Sequence, residues 1–384
     1  MWGICFIVIL VYNTRTLLDY FIYIIMKGPL TDFPIVKTKV PSLTRKFNLT
    51  DPKEREEYFE AKAGVEISKI REYLKENTFI AYLLGKKNSG KGTYTKLMGE
   101  IFGKDKIGHI SVGDLVRQIY KDINDPEKKA DIIEYLEEHY RGYISVEEAI
   151  DALIGKNQKV LLPTEFILAL LKREINKFDG KVIFIDGFPR DLDQVQYSLY
   201  FRDLADYRLD PDLFIAINIP ESVLDERMRN RVVCPICQAP RNLTTFVTKE
   251  VGYDKENDQF FLKCDNKECN GARMVGKDGD SAGIESIRDR LTLDDQLIKK
   301  VMSLHGIPKI LLRNAVPVSV IEENVDDYEI TPIYVFENDE ATGKVTVKEE
   351  PWIIKDDEGI DSYSLVAPAV VIGLLKQLVR ALKL

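Results

Sequence analysis

The sequence predicts an α/β fold in which a mainly parallel β-sheet is covered by helices on both faces. Two observations lead to this class. Apolar runs of strand length alternate with helix-like segments, and one such run leads through a glycine-rich turn into a helix. The chain has 384 residues, 45% of them hydrophobic and 30% charged, so it can bury a core larger than one ordinary domain needs. The net charge is −8 and no basic tract interleaved with aromatic residues occurs, so we expect no nucleic-acid binding.

The glycine-rich turn has the sequence GKKNSGKGT and spans Gly85–Thr93. It lies between an apolar run, Phe79–Leu84, and a helix-like run, Thr95–Phe102. The spacing fits G-x-x-x-x-G-K, although a glycine separates the lysine from the hydroxyl of the threonine. Backbone N–H groups of such a turn, with the positive end of the next helix dipole, face an anion. The turn therefore predicts a phosphate-binding loop in which Lys91 reaches the terminal phosphates.

Two further segments carry groups suited to phosphate chemistry. VIFIDGFPR, Val182–Arg190, is an apolar strand that ends at Asp186, where a carboxylate can hold a Mg²⁺-bound water beside the loop. Its arginine can donate two hydrogen bonds to one phosphate. HISVGDLVR, His109–Arg117, places a glycine and a second arginine at the start of another helix.

Together, these three segments resemble the adenylate kinases of the nucleoside-monophosphate kinase family, over roughly residues 78–313 and the last helix. The resemblance implies a P-loop kinase with a three-layer α/β/α core, a helical insertion that binds the nucleoside monophosphate and a small zinc-binding lid. It implies transfer of a phosphoryl group from Mg-ATP to AMP, giving two ADP. The partners expected on this basis are ATP, AMP and ADP, and the cofactors are Mg²⁺ and structural Zn²⁺.

The resemblance also implies the site residues. Two arginines on the predicted helix Glu221–Arg231 lie four residues apart, on one face, and match family arginines beside ATP. The ATP-binding set is then Gly85, Asn88, Ser89, Gly90, Lys91, Gly92, Thr93, Arg227 and Arg231. The AMP-binding set is Val112, Gly113, Arg117, Leu162, Gly187, Phe188, Arg190, Gln194, Lys277 and Arg290. The residues expected to act on the transferring group are Lys91, Arg190, Arg231, Arg290 and Asp186.

Within these sets, two contacts read the adenine of AMP: the Gln194 side chain and a backbone carbonyl near Leu162. Some positions depart from the family pattern. Val112 stands where a threonine is usual, and the second arginine of the lid would fall on Gly279. Lys277 and Arg273 stay open as the replacement for that lid cation.

Four of the five cysteines form two pairs, Cys234-x-x-Cys237 and, after 26 residues, Cys264-x-x-x-x-Cys269. Thiolates on tight turns suit tetrahedral Zn²⁺, and four of them make a structural rather than a catalytic site. Disulfides and buried free thiols are the alternatives. The fifth cysteine, Cys5, stands apart, and we expect it to be inert.

The sequence predicts a division of the chain into seven parts. We expect an apolar segment at 1–26, an arm and helix at 27–77, and the kinase core at 78–110, 164–232 and 281–321. The acceptor domain is placed at 111–163, the zinc lid at 233–280, extra strands at 322–360 and a closing helix at 361–384. The stripe Tyr58, Ala61, Val65, Ile67, Ile70 and Leu74 marks the buried side of the arm's helix, and Asp125 and Ser145 are candidate helix N-caps in the acceptor domain.

The apolar start, Trp2–Tyr12 and Leu17–Met26, leaves three interpretations: translation from Met26, a membrane anchor, or a segment that packs on the protein. Polar residues interrupt it, and neither piece reaches the roughly 20 residues of a spanning helix. We therefore expect a chain beginning at Met26 to be soluble and fully active. For the protein as a whole we expect a cytoplasmic monomer without membrane association.

Three other functions stay open. A pyrimidine monophosphate kinase would differ only in its base contacts. A kinase for a non-nucleotide acceptor would share the phosphate loop but not the DGFPR segment and the zinc lid. A non-catalytic ATP-binding module would use the added C-terminal strands as a partner surface.

Overall fold

The computed structural model describes residues 33–155, 163–189, 204 and 207–384. The chain divides into a unit at Met1–Pro34 and a unit at Ile35–Leu384, and every element below belongs to the second. Its helices are α1 Pro52–Tyr73, α2 Lys91–Phe102, α3 Val112–Asp122, α4 Pro126–His139, α5 Val146–Leu153, α6 Thr164–Ile175, α7 Glu221–Arg229, α8 Arg288–Met302, α9 Ile321–Asn324 and α10 Ala367–Ala381. Its strands are β1 Ile80–Gly85, β2 Ile107–Ser111, β3 Val182–Asp186, β4 Asp212–Asn218, β5 Arg231–Val233, β6 Pro240–Asn242, β7 Val251–Asp254, β8 Gln259–Leu262, β9 Val275–Gly276, β10 Lys309–Arg313, β11 Ala315–Pro317, β12 Pro332–Asp339, β13 Lys344–Pro351, β14 Ile353–Lys355 and β15 Asp361–Ser364.

Five strands form one parallel sheet in the order β10-β4-β1-β3-β2. The three inner strands, β4, β1 and β3, are nearly continuous apolar runs, which suit a sheet buried on both faces. The register places Leu83 beside Asp186 and Asp186 beside Ser111, so three strands end together at one edge of the sheet. The predicted α/β class with a parallel sheet is therefore confirmed, and it is consistent with a P-loop kinase.

Helices pack on the sheet because alternate strand residues point to opposite faces. Ala81 and Leu83 of β1 belong to a large core cluster with residues of α1, α2 and α10. Helix α8 also packs on β1. Within the described residues, no helix combines the length and the apolar character needed to cross a bilayer.

Helices α3 to α6 share a second apolar cluster, which includes Ile119, Leu136, Ile150 and Phe166. Asp125 accepts hydrogen bonds from the first backbone N–H groups of α4, and Ser145 forms a capping box at the start of α5. The structure thus shows both N-caps that the sequence predicts.

The segment between α7 and α8 is a small β-structure. Strands β6, β5 and β9 form one antiparallel sheet, and β7 pairs with β8. A long antiparallel hairpin, β12–β13, reaches this segment from the C-terminal part of the chain. The backbone N–H of Tyr334 donates to Thr244 O at 2.7 Å, and the Phe336 ring lies 5.4 Å from that of Phe260.

Two details of the predicted helices are wrong. In α1, Val65 is 71% exposed and Ala61 is also exposed, whereas Lys62 is buried. The cause is a break in the helix at Ala63, which has a non-helical φ of −149° and shifts the buried stripe. The helix expected to run to Arg231 ends at Arg229, so Arg231 begins strand β5.

A buried polar network fixes α1 to the C-terminal part of the chain. The Glu329 carboxylate is fully buried and accepts hydrogen bonds from Thr38 Oγ1 and Tyr58 Oη, each at 2.5 Å. The buried Lys62 ammonium lies 3.4 Å from Glu329 and also pairs with Asp326. The predicted arm is therefore held at Thr38, although residues 35–50 form no helix or strand.

We expect Lys62→Met to destabilise the protein by about 3–5 kcal/mol, because it leaves the buried Glu329 carboxylate without its cation. Denaturant unfolding measures this loss. Lys53→Met, at an exposed lysine near the start of the same helix, is the control and should change the free energy of unfolding by less than about 0.5 kcal/mol. Equal stability of the two variants would contradict a structural role for the network.

Candidate active site

The phosphate-binding loop connects β1 to α2. Asn88 and Gly90 have left-handed backbone, with φ of 67° and 98°, a conformation that asparagine tolerates and glycine adopts freely. The N–H of Ser89 donates to Lys86 O at 3.1 Å and closes the turn. Within the described residues no side chain caps the start of α2 at Lys91, so its first N–H groups are available to an anion.

Two buried polar atoms of the loop fit such a ligand. Ser89 Oγ and Asn88 Nδ2 have no hydrogen-bond partner in the described part of the chain, and Ser89 is fully buried. A buried donor left in this state costs about 1–3 kcal/mol. Gly92 and Thr93, on the first turn of α2, are exposed. The loop therefore has donors inside and an open side through which phosphate oxygens can reach them.

Lys91 lies across the mouth of the loop. Its Nζ donates to Gly85 O at 2.6 Å and to Lys86 O at 3.1 Å, and it lies 3.8 Å from Asp186 Oδ1. The register of the sheet explains the last distance, because β1 and β3 end side by side. An ammonium held in this place can bind a terminal phosphate of a nucleotide seated in the loop.

The two arginines predicted for the ATP site both contact the loop. Arg227 donates from Nη1 to Asn88 O at 3.2 Å, and Arg231 donates from Nη1 to Asn88 Oδ1 at 2.9 Å. Arg231 also pairs with the buried Asp280. Burial lowers the pKa of the Arg227 guanidinium from its usual value. Although they do not share one helix, both arginines therefore place positive charge against the same residue of the loop.

Arg290 lies on the first turn of α8, and its Nε lies 3.0 Å from Asp294 Oδ1. Burial raises the pKa of the Asp294 carboxyl, while the nearby charges of Arg290 and Lys91 lower it. Arg290 therefore pairs with a carboxylate whose pKa also responds to the charge of Lys91.

The donor atoms near Lys91 fit Mg²⁺, which takes oxygen ligands and keeps several of its waters. Asp186 is only partly buried at the end of β3, and the exposed Thr93 supplies a hydroxyl on α2. These are the two residues that would hold the ion.

The predicted AMP-binding residues are only partly described. Val112 and Phe188 are buried, and Gly113 and Gly187 are half-buried near the ends of β2 and β3. Arg117 is exposed and pairs with Asp114 on its own helix. Leu162, Arg190 and Gln194 lie outside the described residues. Four of the predicted AMP-binding residues therefore lie near the ends of two neighbouring strands.

The four predicted metal ligands come together. The sulfur atoms of Cys234, Cys237, Cys264 and Cys269 all lie within 4.8 Å of one another, and those of Cys237 and Cys264 are 3.7 Å apart. All four are free thiols. Tetrahedral zinc with Zn–S bonds of about 2.3 Å separates its sulfurs by about 3.8 Å. The cluster therefore fits a Cys₄ zinc site.

The electrostatics of the cluster agree with this fit. Backbone N–H groups of Cys237 and Ile236 lower the pKa of Cys234 to about 6. Burial, with the neighbouring thiols, raises the pKa of Cys269 to about 12. Four thiolates this close together repel one another, and a divalent cation removes that repulsion.

Neither candidate for the lid cation reaches the loop in this structure. The Lys277 side chain is exposed, and its backbone N–H donates a hydrogen bond to Arg231 O at 3.3 Å. Arg273 pairs with Asp254 at 2.7 Å and lies over the Phe261 ring. Gly279 has a φ of 80°, a conformation that suits glycine better than arginine.

Sequence reasoning did not indicate the acidic groups near the loop, among them Asp294 and Asp357. Asp294 has a local signal, because it lies four residues after Arg290, a spacing that brings side chains together on a helix. The partners of Asp357 are distant in sequence: its side chain contacts the start of α7 and Lys86 of the loop. No local pattern signals such a contact.

Comparison with known proteins shows which family the chain resembles. No family model matches the chain, but adenylate kinases of several organisms do. One from Thermotoga neapolitana is 28% identical over 237 residues, 61% of this chain and 89% of that protein. One from Thermotoga maritima is 33% identical over 174 residues, 44% of this chain and 67% of that protein. One from Staphylococcus epidermidis is 27% identical over 246 residues, 64% of this chain and 94% of that protein.

The central strand of the parallel sheet, β1, leads into the phosphate-binding loop. The chain also matches its relatives over two thirds or more of their length. The chain therefore belongs to the nucleoside-monophosphate kinase family, and the members that it resembles are adenylate kinases.

Proposed function

We propose that the chain transfers a phosphoryl group reversibly from Mg-ATP to AMP, giving two ADP, in the cytoplasm. The observation that carries this proposal is the arrangement at the loop. Lys91 lies beside Asp186 at its mouth, and Arg227 and Arg231 both contact Asn88 within it. The relatives named adenylate kinase support ATP and AMP as the substrates.

In this mechanism the protein forms no covalent intermediate. A phosphate oxygen of AMP attacks the γ-phosphorus of ATP, and the bond to the bridging β–γ oxygen breaks, so that ADP leaves. Lys91, Arg231 and Arg290, with Arg190, neutralise the charge of the transferring group. Arg231 and Arg290 would exchange Asp280 and Asp294 for phosphate oxygens. Bound Mg²⁺ supplies further neutralisation of the phosphates.

On the acceptor side, we propose that Arg117 and Arg190 bind the AMP phosphate and that Gln194 reads the adenine edge, with the carbonyl near Leu162. The glutamine amide oxygen can accept a hydrogen bond from N6–H of adenine, and its N–H can donate one to N1; guanine presents the reversed pattern. Val112 offers no hydroxyl to the base, so discrimination rests on the amide.

Lys91→Ala should lower the rate of phosphoryl transfer by orders of magnitude, because a preorganised charge in such a site is worth several kcal/mol. A coupled assay of ADP formation measures the rate, and thermal unfolding checks the fold. Lys96→Ala, at an exposed lysine on the same helix, is the matched control and should keep the activity. Near-normal turnover by Lys91→Ala would contradict the assignment of Lys91 and its loop to the phosphates of ATP.

We expect AMP to be preferred over CMP, UMP and GMP in the same assay. Gln194→Ala should reduce kcat/KM for AMP about ten- to a hundredfold. Without the amide, the polar atoms of the bound adenine edge lose their hydrogen-bond partners, at a cost of about 1–3 kcal/mol each. The KM for ATP should change little. Faster transfer to CMP or UMP by the unmodified enzyme would establish the pyrimidine kinase instead.

We propose that the Cys₄ cluster holds a structural zinc ion, and we expect metal analysis to find one zinc per chain. Cys237→Ser should lose the zinc and lower the melting temperature, whereas Cys5→Ser should do neither. Chelation should lower thermal stability before it lowers the rate, because the ion stabilises the lid and takes no part in the chemistry. Purified protein without zinc or iron, or with a Cys264–Cys269 disulfide under reducing conditions, would contradict this.

A further inference from the structure

Lys86 connects the phosphate loop to a group of carboxylates. Its side chain is only 7% exposed, and its Nζ lies 3.3 Å from Asp295, 3.4 Å from Glu221 and 3.8 Å from Asp357. Its backbone carbonyl accepts the hydrogen bond from Lys91 Nζ at 3.1 Å. The position of the Lys86 side chain is therefore coupled through one residue to the cation of the phosphate site.

Asp357 is the least exposed of these three carboxylates, at 23%. Its two oxygens contact different elements. Oδ2 faces Lys86, and Oδ1 accepts the backbone N–H of Glu221, the first residue of α7, at 2.7 Å. The preceding Pro220 provides no side-chain cap for this helix, so Asp357 acts as its cap from a distant part of the chain.

The turn that carries Asp357 is itself fixed to the core. It joins β14 to β15, and its neighbour Asp356 is buried. The Asp356 carboxylate lies 3.1 Å from Arg313, at the end of the core strand β10, and accepts hydrogen bonds from Ser362 Oγ and from the N–H of Ile360. The Asp357 carboxylate is thus held in place rather than carried on a free loop.

We propose that Asp357 is a positioning residue for the ATP site. Through Oδ2 it holds Lys86 and hence the carbonyl that orients Lys91, and through Oδ1 it fixes the start of α7, the helix that carries Arg227 to Asn88. This assignment rests on the proposed phosphoryl transfer for its kinetic consequence, but its effect on ATP binding stands independently of that reaction.

The Asp357 carboxylate is partly buried, and burial disfavours its charged form unless a cation lies beside it. Burial raises the pKa of the Asp357 carboxyl, while Lys86 and the bond from Glu221 N–H lower it. The other two carboxylates that face the same ammonium, Asp295 and Glu221, raise the pKa of Asp357. Loss of Lys86 would therefore leave three acidic groups close together without their shared counter-charge.

The test compares substitutions in the full chain. Asp357→Asn keeps an oxygen that can cap α7 but removes the charge facing Lys86, and Asp357→Ala removes both. The control is Asp361→Asn on the same hairpin, an exposed residue that pairs with Lys355. Initial rates give kcat and the KM for each nucleotide, calorimetry with ATP alone gives its Kd, and thermal unfolding checks the fold.

We expect Asp357→Asn to raise the KM and Kd for ATP about three- to tenfold, the range of one charge-assisted contact in a partly exposed site. The KM for AMP should stay unchanged. Asp357→Ala should have a larger effect, and Asp361→Asn none. In a Lys86→Met background the further change Asp357→Asn should have a smaller effect than in the unmodified chain, because the two side chains act through each other.

An Asp357→Asn variant with the ATP affinity of Asp361→Asn would overturn the proposal, as would equal increases in the KM for ATP and for AMP or full additivity with Lys86→Met. An unmodified chain that binds ATP without transferring phosphate would instead refute the proposed function. The calorimetric comparison would then still decide whether Asp357 positions the site.

Discussion

The phosphate-binding loop imposes the strictest constraint in this protein, because the N–H groups at the start of α2 must stay uncommitted while a cation is held beside them. Within the loop, Asn88 has left-handed backbone, a conformation that costs free energy for a residue other than glycine. The shape of the loop is therefore supported from outside the turn. Arg227 and Arg231 hold Asn88, and the carboxylates around Lys86 hold the other side. The rest of the structure serves to place these groups.

Features that depend on neighbouring residues could be predicted from the sequence. The two predicted N-caps, at the starts of α4 and α5, are present, and the four cysteines meet. Each of these features follows from a short motif or from a periodicity over a few residues. The phosphate loop is of the same kind, because its strand, turn and helix are consecutive in the chain.

Features that depend on distant partners could not be predicted. A lysine at position 62 has no local reason to be buried, and it is buried because Asp326 and Glu329 face it across the core. The apolar stripe that included Val65 was misleading for a related reason: one non-helical residue, Ala63, rotates the two halves of α1 relative to each other. In the same way, nothing near Asp357 in the sequence indicates a contact with the phosphate loop.

The hairpin β12–β13 shows how an added segment can be tied to a part of the chain that is distant from it in sequence. It contacts the segment β5–β9, which carries the four cysteines, through the Tyr334–Thr244 hydrogen bond and the packing of Phe336 on Phe260, while most of its own residues are half-buried or exposed. Any displacement of this segment relative to the sheet must either break these contacts or move the hairpin with it. Breaking them exposes an aromatic pair and a backbone hydrogen bond, whereas moving a largely solvated two-stranded ribbon disturbs few other contacts. The second route costs less free energy, so we expect the hairpin and the β5–β9 segment to move together in such a displacement.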